Sequence, residues 1–364
     1  MKRTKDMLLT LMAAALLAGG CAEEPNPDYT PAEPEAPVEV DRTAFARGAD
    51  ISWVTQLESE GNTFATTDGV TMECTALMKE IGMNAIRLRV WVDPEGGWCS
   101  EGDVLVKARR AQALGMRLMI DFHYSDTWAD PAKQVIPAAW LSLDAEGLKK
   151  AVADHTREVL SLLKANGVEV EWVQVGNETT NGMLRHLSLN DDGTAGAESA
   201  VGGGLRSNPA NYAAFTTAGY DAVKEVYPDA KVIVHVDRGH NVSYARNVFN
   251  ALEANGGKYD IIGLSLYPGS DWESLTQSCV GNISTLYNEF GHDVMICEVG
   301  MPWDDAATAR EMLSYLITNS RATGHCLGVF YWEPEAPAGY NGGYTLGAFD
   351  NGRPTEALDA FKEK

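Results

Sequence analysis

From residue 45 onward this chain repeats one unit eight times: a short apolar segment, then a longer stretch of helical periodicity. The candidate strands are 47–54, 85–92, 117–124, 171–178, 231–238, 261–268, 294–301 and 327–334. Helical patterns fall after them at 72–81, 104–114, 148–165, 211–226, 245–254, 275–290, 306–323 and 355–361. Apolar strands that each lead into an amphipathic helix predict a parallel sheet covered by helices. Eight near-even units are the count of an α/β fold of the (β/α)8 TIM-barrel type, built as a single domain over 45–364. A doubly wound sheet would alternate too. No strand here runs into a glycine-rich phosphate turn, however, which removes the dinucleotide-binding class.

A barrel of this kind collects its chemistry at the C-terminal ends of the strands. Those ends carry Asp50 and Trp53, then Arg87, Arg89 and Trp91, then Asp121, His123 and Tyr124. Next come Asn177 with Glu178, His235 with Asp237, Tyr267, Glu298, and Trp332 with Glu333. The strand starts are plain by comparison. Glu178 closes the apolar run Glu171-Trp-Val-Gln-Val-Gly-Asn-Glu178, where a carboxylate is costly to desolvate unless bonded or used. A lone glutamate there reads as structural. The arrangement recurs 120 residues later in Val294-Met-Ile-Cys-Glu-Val-Gly300, room for three strand–helix units. Two strand-end carboxylates facing one mouth are the machinery of glycoside hydrolysis.

The neighbouring residues fit that chemistry to different degrees. Arg87 and Arg89 alternate along one strand, so both face the barrel interior and need an anionic partner. Glu298 is a natural one, because the pair would keep a nucleophile ionised; a purely structural salt bridge is the alternative. His123 either bonds substrate or is a satisfied core histidine. Asn177 stands where it can donate to a sugar hydroxyl. Trp128, in the long loop 125–134, suggests a stacking platform, with core packing as the other reading. The loop 185–205 is rich in Gly, Asp and Ser and reads as flexible. Its Asn190-Asp-Asp-Gly193 turn only hints at cation ligation, and no metal site is assigned.

Composition narrows the partners. A formal charge of −22 argues against nucleic acid and anionic membrane surfaces, whereas a neutral substrate meets no such penalty. Nine Trp and thirteen Tyr supply flat apolar faces for packing or for stacking on sugars. Residues 1–20 have the form of an export signal: basic Met1-Lys-Arg-Thr-Lys5, apolar Leu8 to Leu17, then small residues. The apolar run is too short to span a bilayer. Leu17-Ala-Gly-Gly-Cys21 resembles a bacterial lipoprotein cleavage box, which makes Cys21 the lipidated first residue of the mature chain. A soluble secreted form cut nearby is the alternative. Residues 21–44 then read as an extended, acidic, Pro-rich tether. Of the five other cysteines at least one stays unpaired, Cys297 being the first candidate, and none has metal-ligand spacing.

Several runs together resemble glycoside hydrolase family 53, the endo-β-1,4-galactanases, within a clan of retaining (β/α)8 glycosidases. They are Arg47-Gly-Ala-Asp50, Arg87-Leu-Arg-Val-Trp-Val-Asp-Pro94 and Asp121-Phe-His-Tyr-Ser-Asp-Thr-Trp-Ala-Asp-Pro131. Gly176-Asn-Glu178, Ser265-Leu-Tyr-Pro268, Glu298-Val-Gly-Met-Pro302 and Phe330-Tyr-Trp-Glu-Pro334 continue the series in the family's order. The resemblance implies Glu178 as acid/base and Glu298 as nucleophile. It also implies substrate-binding roles for Asp50, Arg87, Arg89, His123, Asp126, Trp128, Asn177, His235, Asp237, Tyr267, Trp303 and Trp332. Of these, Tyr267 would hydrogen-bond the nucleophile and Trp332 would form the floor under the sugar.

The implied substrate is β-1,4-galactan of type I arabinogalactan, cut internally with retention by a monomer that touches the membrane only through its lipid, at the bacterial cell surface or outer membrane. No cofactor is required. Some bacterial relatives bind calcium near the loop after the eighth strand, but no ligands for it map onto this chain. The chain also departs from the family, with Arg185-His186 where Trp-Pro is usual and a short Gly-rich loop after Pro334. Two other functions stay open: a clan relative cutting mannan or glucan, and a surface glycan-binding lipoprotein. Loss of either glutamate would signal the latter, and both are present.

Overall fold

The computed structural model describes residues 40–362. Cys21, the export signal and most of the tether lie outside the described residues. Eight parallel strands close into a barrel: β1 Ala46–Asp50, β2 Ala85–Val90, β3 Arg117–Phe122, β4 Trp172–Val175, β5 Lys231–Val236, β6 Ile261–Leu266, β7 Val294–Val299 and β8 Cys326–Trp332. Each strand pairs with its sequence neighbour, and β8 closes onto β1. Every expected strand is found, ending up to four residues earlier than expected because the polar tips have already turned into loops.

The covering helices are α1 Cys74–Ile81, α2 Glu101–Ala113, α3 Ala145–Ala165, α4 Pro209–Val226, α5 Val242–Ala254, α6 Trp272–Phe290 and α7 Ala306–Ala322. Their starts are marked in the sequence. Glu73, Ser100 and Asp144 each accept a backbone N–H of the first turn, and Pro209 opens α4 where its missing N–H costs nothing. The eighth helical element, Glu356–Phe361, is a 3-10 turn and not an α-helix. It packs on α7 and seals the barrel with Leu358 and Phe361.

Alternation along the strands divides the core in two. Ile86, Leu88 and Val90 of β2 join the large apolar layer between barrel and helices. Ala85, Arg87 and Arg89 face inward. Inside, the lower barrel is a separate apolar plug of Ala46, Met119, Trp172, Ile233, Met295, Cys297 and Phe330. Trp172 and Phe330 meet edge to face at 6.1 Å. Gly48 makes room for them, since a Cβ there would stand 2.3 Å from the Phe330 ring. Above this plug the interior turns polar. A dry base beneath a polar mouth is what confines the chemistry to one end.

The five cysteines among the described residues are all free and buried. The loop after β4 is an ordered excursion. Gly182–Met183 pairs antiparallel with Gly203–Gly204, and bridges join His186 to Glu198 and Leu189 to Ala195. The flexibility expected from its composition gives way to this ladder.

Candidate active site

The two glutamates converge at the mouth, and strand-end kinks aim them. Gly176 adopts φ +90°, where a Cβ would also collide with Thr179 at 2.5 Å. The kink continues into Glu178, whose own φ of +44° is left-handed and unusual for a side-chain-bearing residue. Tyr124, Arg238 and Glu333 bend the same way just past β3, β5 and β8. Such strain at strand tips is characteristic of sites where side-chain direction matters more than backbone comfort. Carboxylate oxygens of Glu178 and Glu298 and a ring nitrogen of His235 all lie within 4.8 Å of one another.

The two carboxyls sit in different environments. Glu298 accepts the Tyr267 hydroxyl at 2.6 Å and the Arg87 guanidinium at 2.9 Å. Burial raises its pKa, and Arg87 and Tyr267 oppose that rise. Glu178 is held well above the ordinary carboxylate range by burial first and then by the charge of Glu298. Its Oε1 accepts the Ser265 hydroxyl at 2.7 Å, and the charges that act on it most, Glu298, Asp237 and Asp130, are all negative. Both carboxyls are raised, Glu178 the more strongly, so Glu178 is the one that holds its proton and Glu298, beside Arg87, the one that gives it up first, the order a glycosidase needs.

A buried network sets these positions. Arg87 reaches Asp50 at 2.6 Å, Asp121 at 2.9 Å, Gln174 at 2.8 Å and Asn177 at 2.9 Å, besides Glu298. Asp50, Arg87 and His235 have no exposed surface, so they hold the site and do not touch a substrate directly. Burial, with Arg87 beside it, keeps His235 neutral. Its Nε2 meets the Ser265 hydroxyl at 2.7 Å, and its Nδ1 lies 3.0 Å from both the Gln174 amide nitrogen and the Asn177 amide oxygen. His123 is neutral for the same reason, donating from Nε2 to Asp121 at 3.0 Å while Nδ1 accepts Trp91 and Ala129.

A cleft of about 360 Å3 opens over the pair, lined by His123, Trp128, Asn177, Glu178, Tyr267, Glu298 and Trp332 among others. Trp128 and Trp332 stand 5.9 Å apart, and the rest of an aromatic cluster backs them. Arg89 belongs to this backing. It lies 4.2 Å from the Trp128 ring centroid, also faces Trp91 and Trp53, and pairs with Glu333 at 2.9 Å, so its carboxylate partner is Glu333 and not Glu298.

Three expected residues stand elsewhere. Asp126 accepts the Asp93 and Ala138 amides and staples two loops. Asp237 accepts the Thr180 hydroxyl at 2.5 Å and reaches Glu178 only through its charge. Trp303 bonds by its backbone to Thr345 and lies outside this cleft. Conversely, Gln174 and Ser265 were not singled out, although a polar residue inside an apolar strand is a signal. Asp130, Lys133 and Leu346 line the cleft without any such signal.

Arg185-His186 joins the loops after β3 and β4. Both amides donate to the Gln134 carbonyl, at 2.7 and 2.9 Å, and the His186 ring accepts the Gln134 N–H. In the Asn190–Gly193 turn, Asp192 caps Thr194, a bonding pattern that accounts for the acidic run. The carboxylates and imidazole at the mouth are the one metal-capable group among the described residues, and both nitrogens of that imidazole are already engaged.

Comparisons with known proteins agree with this geometry. The model of glycosyl hydrolase family 53 matches residues 46–361. The endo-beta-1,4-galactanase of Bacillus subtilis (strain 168) is 30% identical over 323 residues, 80% of this chain and 70% of that one. An arabinogalactan endo-beta-1,4-galactanase of Cellvibrio japonicus (strain Ueda107) is 33% identical over 322 residues, 81% of each. A structure from a study of two fungal beta-1,4-galactanases superposes with a TM-score of 0.76 at 26% identity, over 87% of this chain and 99% of that one. The catalytic domain of an Ignisphaera aggregans member gives 0.75 at 26% identity, over 89% and 97%. This chain belongs to glycosyl hydrolase family 53.

Proposed function

We propose that the protein is an endo-acting β-1,4-galactanase that cuts with retention of configuration, with Glu298 as nucleophile and Glu178 as acid/base. The observation that carries this is the pair itself: two buried carboxyls whose oxygens approach within 4.8 Å, with Glu178 held further above the ordinary range than Glu298. Retaining sites hold their carboxyls roughly 5 Å apart, whereas inverting sites need about 6.5–9.5 Å for a water. Family membership and the galactanases among its relatives support the substrate.

In the first step Glu298 attacks the anomeric carbon as the glycosidic C–O bond breaks. Glu178 gives its proton to the departing oxygen, and a galactosyl ester of Glu298 forms. Esterification removes the Glu298 charge, so the Glu178 pKa falls and Glu178 can take a proton from water. That water cleaves the ester and returns both residues to their starting state. Arg87 and Tyr267 keep Glu298 ionised and aimed; the Ser265 hydroxyl orients Glu178. Trp332 and Trp128 offer stacking faces for the chain, with the Asn177 amide beside them to bond its hydroxyls, while His123 packs against Trp128 with both nitrogens engaged.

Product analysis on linear β-1,4-galactan, with mannan and glucan as controls, tests this reading. Early release of mixed short galacto-oligosaccharides, lost in Glu298→Gln, is the expected result. Cleavage of a control polymer and not of galactan would overturn the substrate, and binding without cleavage would overturn the enzyme.

The same proposal extends to the N-terminus. Residues 1–20 are an export signal, Cys21 carries lipid, residues 21–44 tether, and the monomeric catalytic domain spans 45–364 at the outer face of a bacterial cell. The support is the basic, apolar and small-residue sequence that leads into Cys21, and a family match that starts at residue 46. Among the described residues no helix is long and apolar enough to cross a membrane. Detergent partitioning of the wild type against Cys21→Ala tests it; equal partitioning would remove the anchor.

A further inference from the structure

Behind the aromatic floor lie two acids that the proposed reaction does not use. Glu333 is fully buried. Its Oε1 accepts Arg89 at 2.9 Å, and its Oε2 accepts the Trp53 amide at 3.1 Å. Glu335 is 2% exposed, and both its carboxyl oxygens are buried. Among the described residues no N–H or O–H donor from another side chain or backbone reaches either oxygen. Its strongest charged neighbour is the Glu333 carboxyl, two residues back in the chain. Two carboxylates cannot bond each other, but an acid and a carboxylate can.

Charge counting says which is which. Arg89 is balanced by Glu333, and Arg87 already serves Asp50, Asp121 and Glu298. An ionised Glu335 would be an unpaired buried charge, which a protein avoids by keeping the group neutral. We propose that Glu333 and Glu335 share one proton, and that the neutral Glu335 acid is the positioning residue that holds Glu333 on Arg89 and so fixes the Trp128–Trp332 floor of the cleft.

The chain of contacts is continuous. Glu335 neighbours Glu333, Glu333 bonds Arg89, and Arg89 lies against Trp128, which meets Trp332 edge to face at 5.9 Å. Glu333 is itself fixed by its amide on the Asp50 carbonyl, in a left-handed conformation. Other titratable groups face the pair: Asp50 on β1, Arg89 on β2, Cys74 on α1, Cys99 before α2, and Tyr340 and Tyr344 after β8. Asp50 is tied to Arg87, while burial moves the thiols and phenols away from neutrality. The pair is what titrates here. Glu333 is pushed up to about 7 and Glu335 well above its ordinary value, in both cases chiefly by burial.

The inference rests on the galactanase reading for its substrate but not for its proton. The test compares wild type, Glu335→Gln and Glu335→Leu by kcat and KM on galactan, and by Tm, from about pH 5 to about pH 9. The amide of Gln can donate to Glu333 but cannot ionise. Glu335→Gln is therefore expected within about twofold of wild type at low pH, with a KM that stays flat where the wild-type KM climbs. Glu335→Leu is expected to raise KM about tenfold and to change kcat by less than about threefold, since it leaves Glu333 without its donor.

In the thermal arm, a pKa raised on folding gives stability that is present at low pH and is lost as pH rises through the folded value. Glu335→Gln should thus gain on wild type with rising pH. Parallel Tm curves would overturn the shared proton even in a protein that cut no galactan. Diverging curves without galactan cleavage would support the pair while defeating the substrate. Equal damage from Gln and Leu, or a loss confined to kcat, would overturn the positioning role.

Discussion

At the scale of single residues, the site works by unequal treatment of two chemically identical side chains. Glu178 has one hydroxyl donor and a negative neighbour; Glu298 has a cation and a phenol. Activity should follow a bell in pH, needing Glu298 ionised and Glu178 protonated. Ser265→Ala tests the assignment with a definite sign. The Ser265 hydrogen bond lowers the Glu178 pKa, so its removal should move the alkaline limb of kcat/KM to higher pH and leave the acid limb in place. A shift of the acid limb alone would reverse the roles. Tyr267→Phe strips a 2.6 Å donor from the nucleophile, and kcat should fall about ten- to a hundredfold, the cost of a charge-assisted bond of roughly 1.5–3 kcal/mol. For Glu178→Ala, azide should restore cleavage of an activated aryl galactoside and yield a galactosyl azide of retained configuration. No rescue would remove Glu178 from the base role.

At the scale of elements, each strand carries two messages at alternate positions: apolar side chains outward to the helices, and a graded set inward. Phe330 sits in the inward apolar plug with no exposed surface. Phe330→Ala should cost about 3–5 kcal/mol of stability, read by denaturant unfolding, because neither Gly48 nor Trp172 can fill the space. This two-sided pattern is why the barrel was legible from the chain. Repeated apolar runs with period-two polar insertions leave few other solutions. The two converging glutamates were legible because polar residues at apolar strand tips are expensive. Arg89 was misplaced because alternation gives the face a side chain points to, and not its height; two residues further along β2 it meets Glu333, out of reach of Glu298. Gln174 was overlooked as an ordinary strand residue, although it bridges Arg87, Asp121 and His235. The hairpin after β4 was unreadable from composition, since its order comes from pairing between Gly182–Met183 and Gly203–Gly204, distant in sequence.

At the scale of the whole molecule, the barrel places every functional group at one end and leaves its stability to packing. The sealed sulfur shows this most plainly. Five buried thiols and no disulfide among the described residues mean that a strong reductant should leave Tm unchanged within about 1 °C, measured by calorimetry; a large drop would reveal a cross-link. Maturation of the domain thus asks nothing of an oxidising compartment or of disulfide-forming catalysts, and a cell could assemble it equally well on the reducing side of a membrane. The hazard is transferred to the unfolded chain. While five sulfurs are uncovered, an oxidant can trap wrong pairs, so slow folding in air exposes this chain to a hazard that the folded domain, with every thiol buried, does not share.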